Sequence, residues 1–397
     1  MNSVAKLLPY WILNFTIGFG WFSLAPLVPS LMSQYSVSDP SSIVLLISLY
    51  GYTMVAFALL SGYLSSRYSV SISLILAAVI STVGLFFRAF SGSYEILLVA
   101  QVVAAVAYPL AVGPVGAIAQ SVYPKRGHMV VGVSIGILFL GMSAGSFVTP
   151  SLLTTLGSVH NVFLFEALIT IVPLVTLPVV LRSYPKDYAG KSMKGSFKLG
   201  MFKNWYIGLA ISSLSVMFGS IAATMLISNK SPSPEALAGT LSGLAFLGSA
   251  LGAIMLPPLF EAIGKVRAGM VLTSLVSLVS VALLAYYLAY TTTASILMLS
   301  YFLFGFFGNA FWSMAMTSTT RYVKDPAQAG LSTSMYSVAT NLGVAFVPVF
   351  LGGFFVSNAL PGIVIVSAMV AVGFGLSFFL KVRAEHDGKD VTNAAPA

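Results

Sequence analysis

The sequence predicts an all-α integral membrane protein whose twelve transmembrane helices form two pseudo-symmetric six-helix bundles. Of its 397 residues, 58% are hydrophobic and only 7% are charged, and the mean hydropathy is +0.96. A soluble domain carries about 25% charged residues, so this chain has too few charges to cover a surface in contact with water. A count of apolar segments and an internal repeat then predict the number of helices and their grouping.

Twelve apolar segments are long enough to cross a bilayer, which takes about 20 mostly apolar residues per helix. The predicted spans are Pro9–Ser33, Ser42–Ser65, Val70–Phe90, Tyr94–Val122, Gly127–Thr154, Asn161–Leu181, Asn204–Ser228, Ala236–Ile263, Ala268–Tyr290, Ser295–Thr320, Ala327–Val356 and Pro361–Lys381. A polar, basic segment separates the sixth span from the seventh. The chain therefore divides into a first bundle at 1–181, a linker at 182–203, a second bundle at 204–381 and a tail at 382–397.

The distribution of positive charge predicts the orientation. Lysines and arginines collect in the cytoplasmic loops of membrane proteins. With twelve spans both termini share a side, and that side receives the linker and nearly all basic residues, leaving Arg88 and Lys230 for the other. We expect a multi-pass protein of the plasma membrane with both termini in the cytoplasm. The same rule accounts for the net charge of +9 without nucleic acid as a partner.

Two sequence patterns recur at about half the chain length. The chain reads GYLSSRYSVS between spans two and three and PPLFEAIGKVR between spans eight and nine, and a shift of 195 residues places Leu64 on Leu259. A shift of 198 residues aligns span five with span eleven and places Gly132, Gly145 and Pro150 on Gly330, Gly343 and Pro348. Such repeats are typical of transporters built from two related halves.

The two turns resemble the loop signature of the major facilitator superfamily, Gly-x-Leu-(Ala/Ser)-Asp-Arg-x-Gly-(Arg/Lys)-(Arg/Lys). The first turn matches it at Gly62, Leu64, Ser65 and Arg67, and the second at Leu259, Glu261, Gly264 and Lys265. The resemblance covers essentially the whole chain. It implies the major facilitator fold, two bundles around a central cavity, and alternating-access transport of a small solute. It implies no particular substrate, because one fold hosts many functions.

Candidate solute-binding residues follow from this resemblance, which implies that spans one, four, seven and ten line the cavity. Polar groups deep in a bilayer are costly and often functional. The candidates share helix faces near mid-depth and are Asn14, Trp21, Gln101, Tyr108, Asn309, Trp312 and, on span eleven, Ser337 and Asn341. Aromatic faces bind apolar bodies or cations, and amides orient polar solutes. For Gln101 and Asn341 the alternative is a hydrogen bond to a neighbouring helix.

Arg88 and Glu166 stand in apolar stretches of predicted spans three and six, in the outer half of the first bundle. We expect Arg88 of span three and Glu166 of span six to form a buried ion pair, because an unpaired charge there is costly. The alternative is that Glu166 carries a coupling proton. No Lys or Arg lies at mid-depth in the predicted spans, which disfavours strongly anionic solutes.

The turn GYLSSRYSVS is expected to close the cytoplasmic side of the cavity. Ser66 stands where the family signature has an acid, whereas Asp325 precedes Pro326 at the start of span eleven. The carboxylate has thus moved to the other side of the contact, and we expect Arg67 to pair with Asp325. The alternative gives Arg67 only a topological role and Asp325 only that of a helix cap.

A second cytoplasmic contact is expected in the other half of the repeat. Glu261 keeps the acid of the family signature and is predicted to face the start of span five, beside Lys125 and Arg126. Gly62 and Lys265 belong to the two signature turns and complete the predicted gate.

We interpret the protein as a secondary or facilitative transporter for a small neutral, cationic or amphipathic solute, with the proton as one candidate coupling ion. The alternative is a transporter-like receptor without net flux. A weaker similarity, to choline-type transporters related to the feline leukaemia virus subgroup C receptor, rests on GFGWFS and QVVAAVAYPLAVGP. No enzyme activity, metal or cofactor is expected, since cysteine is absent and the three histidines lie far apart. The chain also lacks the phosphate-binding loop of an ATP-driven pump.

Overall fold

Helices make up the regular structure of the computed structural model, which describes residues 3–115, 118, 127–181, 198–291, 293–322 and 326–382. The α-helices of these residues are α1 (Ser3–Phe22), α2 (Val28–Gln34), α3 (Pro40–Arg67), α4 (Val70–Ala89), α5 (Tyr94–Val112), α6 (Gly127–Leu156), α7 (Val159–Ile169), α8 (Ile171–Val180), α9 (Phe202–Ser228), α10 (Pro234–Ala262), α11 (Val266–Tyr290), α12 (Ala294–Thr319), α13 (Pro326–Ser357) and α14 (Ala359–Ser377). Two short 3₁₀ helices, Leu199–Met201 and Thr320–Tyr322, precede α9 and follow α12.

Eleven segments of the described chain are long and apolar enough to cross a membrane. The remaining span is α1, which is 20 residues long but less apolar because it contains Lys6 and Asn14. α2 continues α1, and α8 continues α7, so the fourteen helices make the twelve spans that the sequence predicted. The prediction of an all-helical membrane fold is confirmed.

The first span is broken between α1 and α2, where the chain reads SLAPL. Pro26 has no amide hydrogen and cannot continue the helical ladder. Short-range backbone bonds replace it, from Ala25 N to Phe22 O at 3.2 Å and from Leu27 N to Leu24 O at 3.1 Å. The predicted span Pro9–Ser33 was one continuous helix, and its break at this point was not expected.

The signature turn after span two is shorter than predicted. α3 continues through Arg67, and only Tyr68 and Ser69 separate it from α4. The Ser69 side chain accepts a hydrogen bond from Ile72 N at 3.2 Å and so caps α4 immediately. Gly62 and Arg67 therefore belong to the last turns of a helix. In span four, α5 ends at Val112 with Gly113 as its cap, and most of the predicted remainder up to Val122 lies outside the described residues.

The internal repeat is present in the packing. α1 packs on α6, α3 and α4 pack on α5, and α4 packs on α7. Six spans later the same pairs recur as α9 on α13, α10 and α11 on α12, and α11 on α14. Each set of six spans also has its own cluster of buried apolar side chains. The linker boundary at 182–203 stays a prediction, because residues 182–197 lie outside the described residues.

Across the halves α9 makes small contacts with α2 and α3, but two helix pairs make most of the described contacts: α6 packs along α10, and α3 packs along α13. A two-fold axis that exchanges the halves also exchanges these two contacts. Large apolar side chains such as Val179 and Phe350, 74% and 67% exposed, lie on the outside. A surface of this kind suits lipid, since soluble proteins rarely expose extended apolar patches.

The molecule has two ends, which we call the terminus face and the opposite face. The terminus face is the end at which α1 begins and α14 finishes, and the opposite face is the other end. Arg267 at the start of α11 donates hydrogen bonds to the carbonyl oxygens of Phe378 and Leu380 just after α14. Tyr10 donates to Ala111 O at the end of α5, at 3.2 Å.

Candidate functional site

Three aromatic rings from three helices meet in the interior of the first bundle. The Trp21 ring of α1 stacks on the Tyr50 ring of α3, with centroids 4.5 Å apart and an interplanar angle of 6°. It also lies against the Tyr108 ring of α5, with centroids 5.1 Å apart. Trp21 Nε1 donates to Ile47 O at 2.8 Å, so its orientation is fixed by α3. We call Trp21, Tyr50 and Tyr108 the first aromatic cluster.

The first aromatic cluster reaches across to the second half of the molecule. Tyr108 lies near the Asn341 side chain on α13. Asn341 Nδ2 donates a hydrogen bond to Ser337 O one turn away, at 2.9 Å. Tyr108 and Asn341 are 9% and 3% exposed, so this contact is closed to bulk water.

A second aromatic cluster lies in the second half and uses the same helix, α13. The centroids of the Trp312 and Tyr336 rings are 5.5 Å apart, and the interplanar angle is 61°. Trp312 Nε1 donates to Thr340 Oγ1 at 3.3 Å, and the Tyr336 hydroxyl donates to Trp312 O at 2.8 Å. Because Thr340 and Asn341 are adjacent, α13 connects the two aromatic clusters.

Three predicted site residues lie away from this connection and bond to neighbouring helices. Asn309 Nδ2 donates to Ser249 Oγ of α10 at 2.7 Å. Asn14 Nδ2 donates to Ser134 O of α6 at 3.4 Å, while its buried Oδ1 has no hydrogen-bond partner. Gln101 Nε2 donates to Leu46 O of α3 at 3.3 Å. For Gln101 the geometry therefore favours the helix-packing alternative.

Arg88 and Glu166 contact each other as a fully buried ion pair between α4 and α7. Arg88 Nη1 also donates to Gly20 O at 2.8 Å and to Gln101 Oε1 at 3.1 Å. The guanidinium carbon lies 4.6 Å from the centroid of the Phe163 ring. We call Arg88, Glu166 and Gln101 the buried charge cluster.

The predicted gate at the terminus face falls largely outside the described residues. This applies to Lys125, Arg126 and Asp325, and to the side chain of Arg67. The described gate residues are Glu261 and Lys265, which are exposed at the end of α10 and the start of α11. The two expected latches therefore stay predictions.

The opposite face is sealed by contacts between the bundles that sequence reasoning missed. Ser146 Oγ and Ser242 Oγ are 3.0 Å apart, and Ser143 Oγ donates to Gly243 O at 2.8 Å. The Phe22 and Phe246 rings meet edge to face at 4.2 Å. Nearer the surface Ser30, at the start of α2, donates to the Glu235 carboxylate at the start of α10. We call these contacts the opposite-face seal.

Two cavities lie near this face, between the bundles. One, of about 270 Å³, lies between the end of α6 and the α9–α10 connection and is lined by Pro150, Thr154 and Glu235 among others. The other, of about 100 Å³, lies between α3, α9 and α13. Neither is lined by a ring of the aromatic clusters, and these rings are all buried, so the clusters are packed shut in this conformation.

Tyr50 and Tyr336 were missed by the sequence analysis. Spans one, four, seven and ten were expected to line the cavity and span eleven supplied Ser337 and Asn341, so Tyr50 on span two was not considered. Tyr50 lies near the middle of its apolar segment, and this position could have identified it as a residue deep in the bilayer.

The comparisons with known proteins concern the whole chain. A family model described as Major Facilitator Superfamily matches residues 10–232 and, in a second match, residues 205–397. A crystal structure of a mutant of the nucleoside transporter NupG is similar, with a TM-score of 0.68 and 16% sequence identity. The similarity covers 94% of this chain and 97% of that chain, and at this identity it shows the fold alone. A search of curated protein sequences found no match.

Proposed function

Because the chain belongs to the major facilitator superfamily, we propose that it moves a small neutral, cationic or amphipathic solute across the membrane by alternating access. This cycle requires two bundles whose mutual contacts form at one end of the molecule while they break at the other end. The family and the fold support membrane transport, and the choice of solute rests on the site itself.

The observation that carries the proposal is the contact between the first aromatic cluster and Asn341 of the other bundle. Aromatic faces attract cations and apolar bodies, whereas an amide discriminates polar groups by hydrogen bonding. A solute lying between them touches both bundles and senses their relative movement. Ser337 and Trp312 extend the same lining along α13 and α12.

The surroundings of the clusters support a solute without strong negative charge. The nearest buried charges, Arg88 and Glu166, are paired with each other rather than directed at the aromatic rings. An anion between the rings would lose its hydration without gaining a cationic partner. A cation instead gains the ring faces, and a neutral solute gains hydrogen bonds.

We propose a cycle in which the solute site is reached from the terminus face, because the opposite-face seal joins the bundles at the other end. The rings of the aromatic clusters are buried in this conformation. We propose that the terminus face is cytoplasmic and the membrane is the plasma membrane, because basic residues collect at that face. A cysteine introduced at Lys230 should then be labelled from outside the cell, and one at Lys265 should not.

The solute is tested by a thermal-shift screen of the purified protein, because a ligand that binds only the folded state raises the apparent stability. The library should contain quaternary ammonium compounds, neutral amphipathic solutes and nucleosides, the last because the structural neighbour is described as a nucleoside transporter. Flux into proteoliposomes then separates a transporter from a receptor. Binding without flux would support the receptor alternative.

The site is tested by Trp21→Ala and Trp312→Ala, with Trp205→Ala as the matched control. Trp205 is partly buried near the terminus face, where it packs on Phe202 with ring centroids 5.0 Å apart. Loss of a ring that contacts the solute should weaken binding about ten-fold or more, whereas the control should not change the affinity. Unchanged affinity in both site variants would contradict the proposed site.

A further inference from the structure

We propose that Arg88 and Glu166 are positioning residues that hold Trp21 in the solute site by fixing the last turn of α1. The proposal rests on the proposed function, in which Trp21 contacts the solute. It assigns the buried charge cluster a role beyond its internal pairing.

Arg88 binds a backbone carbonyl group at the end of α1. α1 ends at Phe22, so Gly20 O is among the last four carbonyls of the helix, which have no partner within it. Arg88 Nη1 donates to this oxygen at 2.8 Å. A cation at a helix C-terminus also interacts favourably with the helix dipole. Arg88 thus stabilises the end of α1 at the peptide that joins Gly20 to Trp21.

A closed ring of contacts also connects Arg88 to the Trp21 side chain by way of α3. Arg88 donates to Gln101, and Gln101 donates to Leu46 O. The next carbonyl along α3, that of Ile47, accepts the hydrogen bond from Trp21 Nε1. The guanidinium therefore binds the backbone of α1 next to Trp21 directly, and it is connected to the Trp21 side chain through Gln101 and the backbone of α3 at Leu46 and Ile47.

The role of Glu166 is to hold Arg88 in this position. The Glu166 carboxylate pairs with Nη2, while Nη1 carries the bonds to Gly20 and Gln101. Glu166 neutralises a charge that is completely buried. Without it the guanidinium would be an uncompensated charge in the bilayer interior, and it would move or draw in water.

The fold itself does not require these charges. The second bundle repeats the helix packing with α11, α12 and α14 in place of α4, α5 and α7. α12 and α14 contain no charged residue, and α11 has only Arg267, in its first turn. Because buried ion pairs are often no more stabilising than well-packed apolar residues, stability alone is a poor reason for this one. The position of the ion pair beside Trp21 supplies a better reason for its presence.

If Glu166 instead carries a coupling proton, the ion pair is expected to behave differently during the cycle. A proton carrier must release its partner during the cycle, and the main consequence of Glu166→Gln would be a changed pH dependence of transport. A positioning pair must persist, and its loss would displace Trp21 at every pH. The position of Trp21 can be followed without any solute.

The test uses 5-fluorotryptophan incorporated into the full chain, whose four tryptophans give four ¹⁹F resonances. Trp21→Phe assigns the Trp21 resonance. Gln101→Leu keeps both charges but breaks the ring of contacts, so it should shift the Trp21 resonance, leave the Trp205 resonance in place and weaken solute affinity about ten-fold. An unmoved Trp21 resonance in Gln101→Leu would overturn the proposal.

The decisive variant is the double exchange Arg88→Glu with Glu166→Arg. It restores an ion pair, but a carboxylate at position 88 has no hydrogen to donate to Gly20 O. We expect the unfolding temperature to recover relative to either single exchange, with the Trp21 resonance still displaced. Recovery of both would show a purely structural pair and overturn the proposal. A change confined to the pH profile of transport in Glu166→Gln, with Trp21 unmoved, would assign Glu166 to proton coupling. A displaced Trp21 resonance with solute affinity unchanged would instead count against the proposed solute site.

Discussion

Replacement of Gly51 with alanine should move the protein out of the conformation with a sealed opposite face. Gly51 lies on α3 where it packs on α13 of the other bundle. A Cβ atom there would stand 2.7 Å from Ala345 N, 2.9 Å from Val344 Cγ1 and 3.0 Å from Asn341 O. Two of these three atoms belong to the backbone, so the neighbour cannot yield by changing a rotamer. The helices must separate, and with them the bundles.

The magnitude follows from the cost of overpacking. Extra methyl groups in a well-packed interior cost about 1–3 kcal/mol. The cost falls on the sealed conformation alone if the α3–α13 contact loosens in the other conformation. The equilibrium between the two should then shift about five- to one-hundred-fold toward opening of the opposite face.

The assay is thiol labelling, which has no background because the chain contains no cysteine. Ser242→Cys places a thiol in the opposite-face seal, where the native side chain is fully buried. Its labelling rate should rise in the Gly51→Ala background. Gly353→Ala is the matched control, since a Cβ there meets nothing within 4 Å. Gly252→Ala is a second control, because it crowds Phe306 inside one bundle and should lower stability without opening the seal.

Two outcomes would refute this reasoning. Equal labelling in Gly51→Ala and Gly353→Ala would show that the interface absorbs the methyl group without separation. A large fall in unfolding temperature in Gly51→Ala, with labelling no faster than in Gly252→Ala, would show that the contact supports the fold and not one state of a cycle.

Two further predictions concern the faces of the molecule. Ser30→Ala removes the hydrogen bond to Glu235 and should raise labelling of the same cysteine about five-fold, since one such bond contributes about 1 kcal/mol; unchanged labelling would remove this contact from the seal. Arg67→Ala should open the terminus face and increase labelling of a cysteine at Asn14 by a few-fold, because a partly exposed latch contributes about 1 kcal/mol or less. Asp325→Asn should do the same, and a lack of effect would contradict the pairing of Arg67 with Asp325.

The sequence alone was sufficient for the membrane class, the twelve spans and the two-half repeat. The reason is physical: lipid offers no hydrogen bonds, so every spanning segment must satisfy its own backbone as a helix and present apolar side chains. The composition and the length of the apolar segments are therefore almost sufficient to predict the spans. The buried charges of Arg88 and Glu166 were also visible, because a charge inside an apolar segment is rare and needs a partner.

Only the tertiary structure decided which side chains meet. Periodicity places Trp21 and Tyr108 on helix faces but does not set the rotation and depth of one helix against the next. The stacking of Tyr50 on Trp21, and the connection through α13, depend on both. Gln101 was a candidate for solute contact with helix packing as the alternative, because periodicity alone could not show that its side chain meets Arg88.

The opposite-face seal was equally beyond the sequence. Ser146 and Ser242 lie among glycines and alanines, and such stretches predict close packing of helices without indicating the partner. Whether two small polar residues touch across the bundle interface depends on how the two bundles are placed against each other. Helix periodicity within each segment does not set that placement, so only the tertiary structure shows the contact.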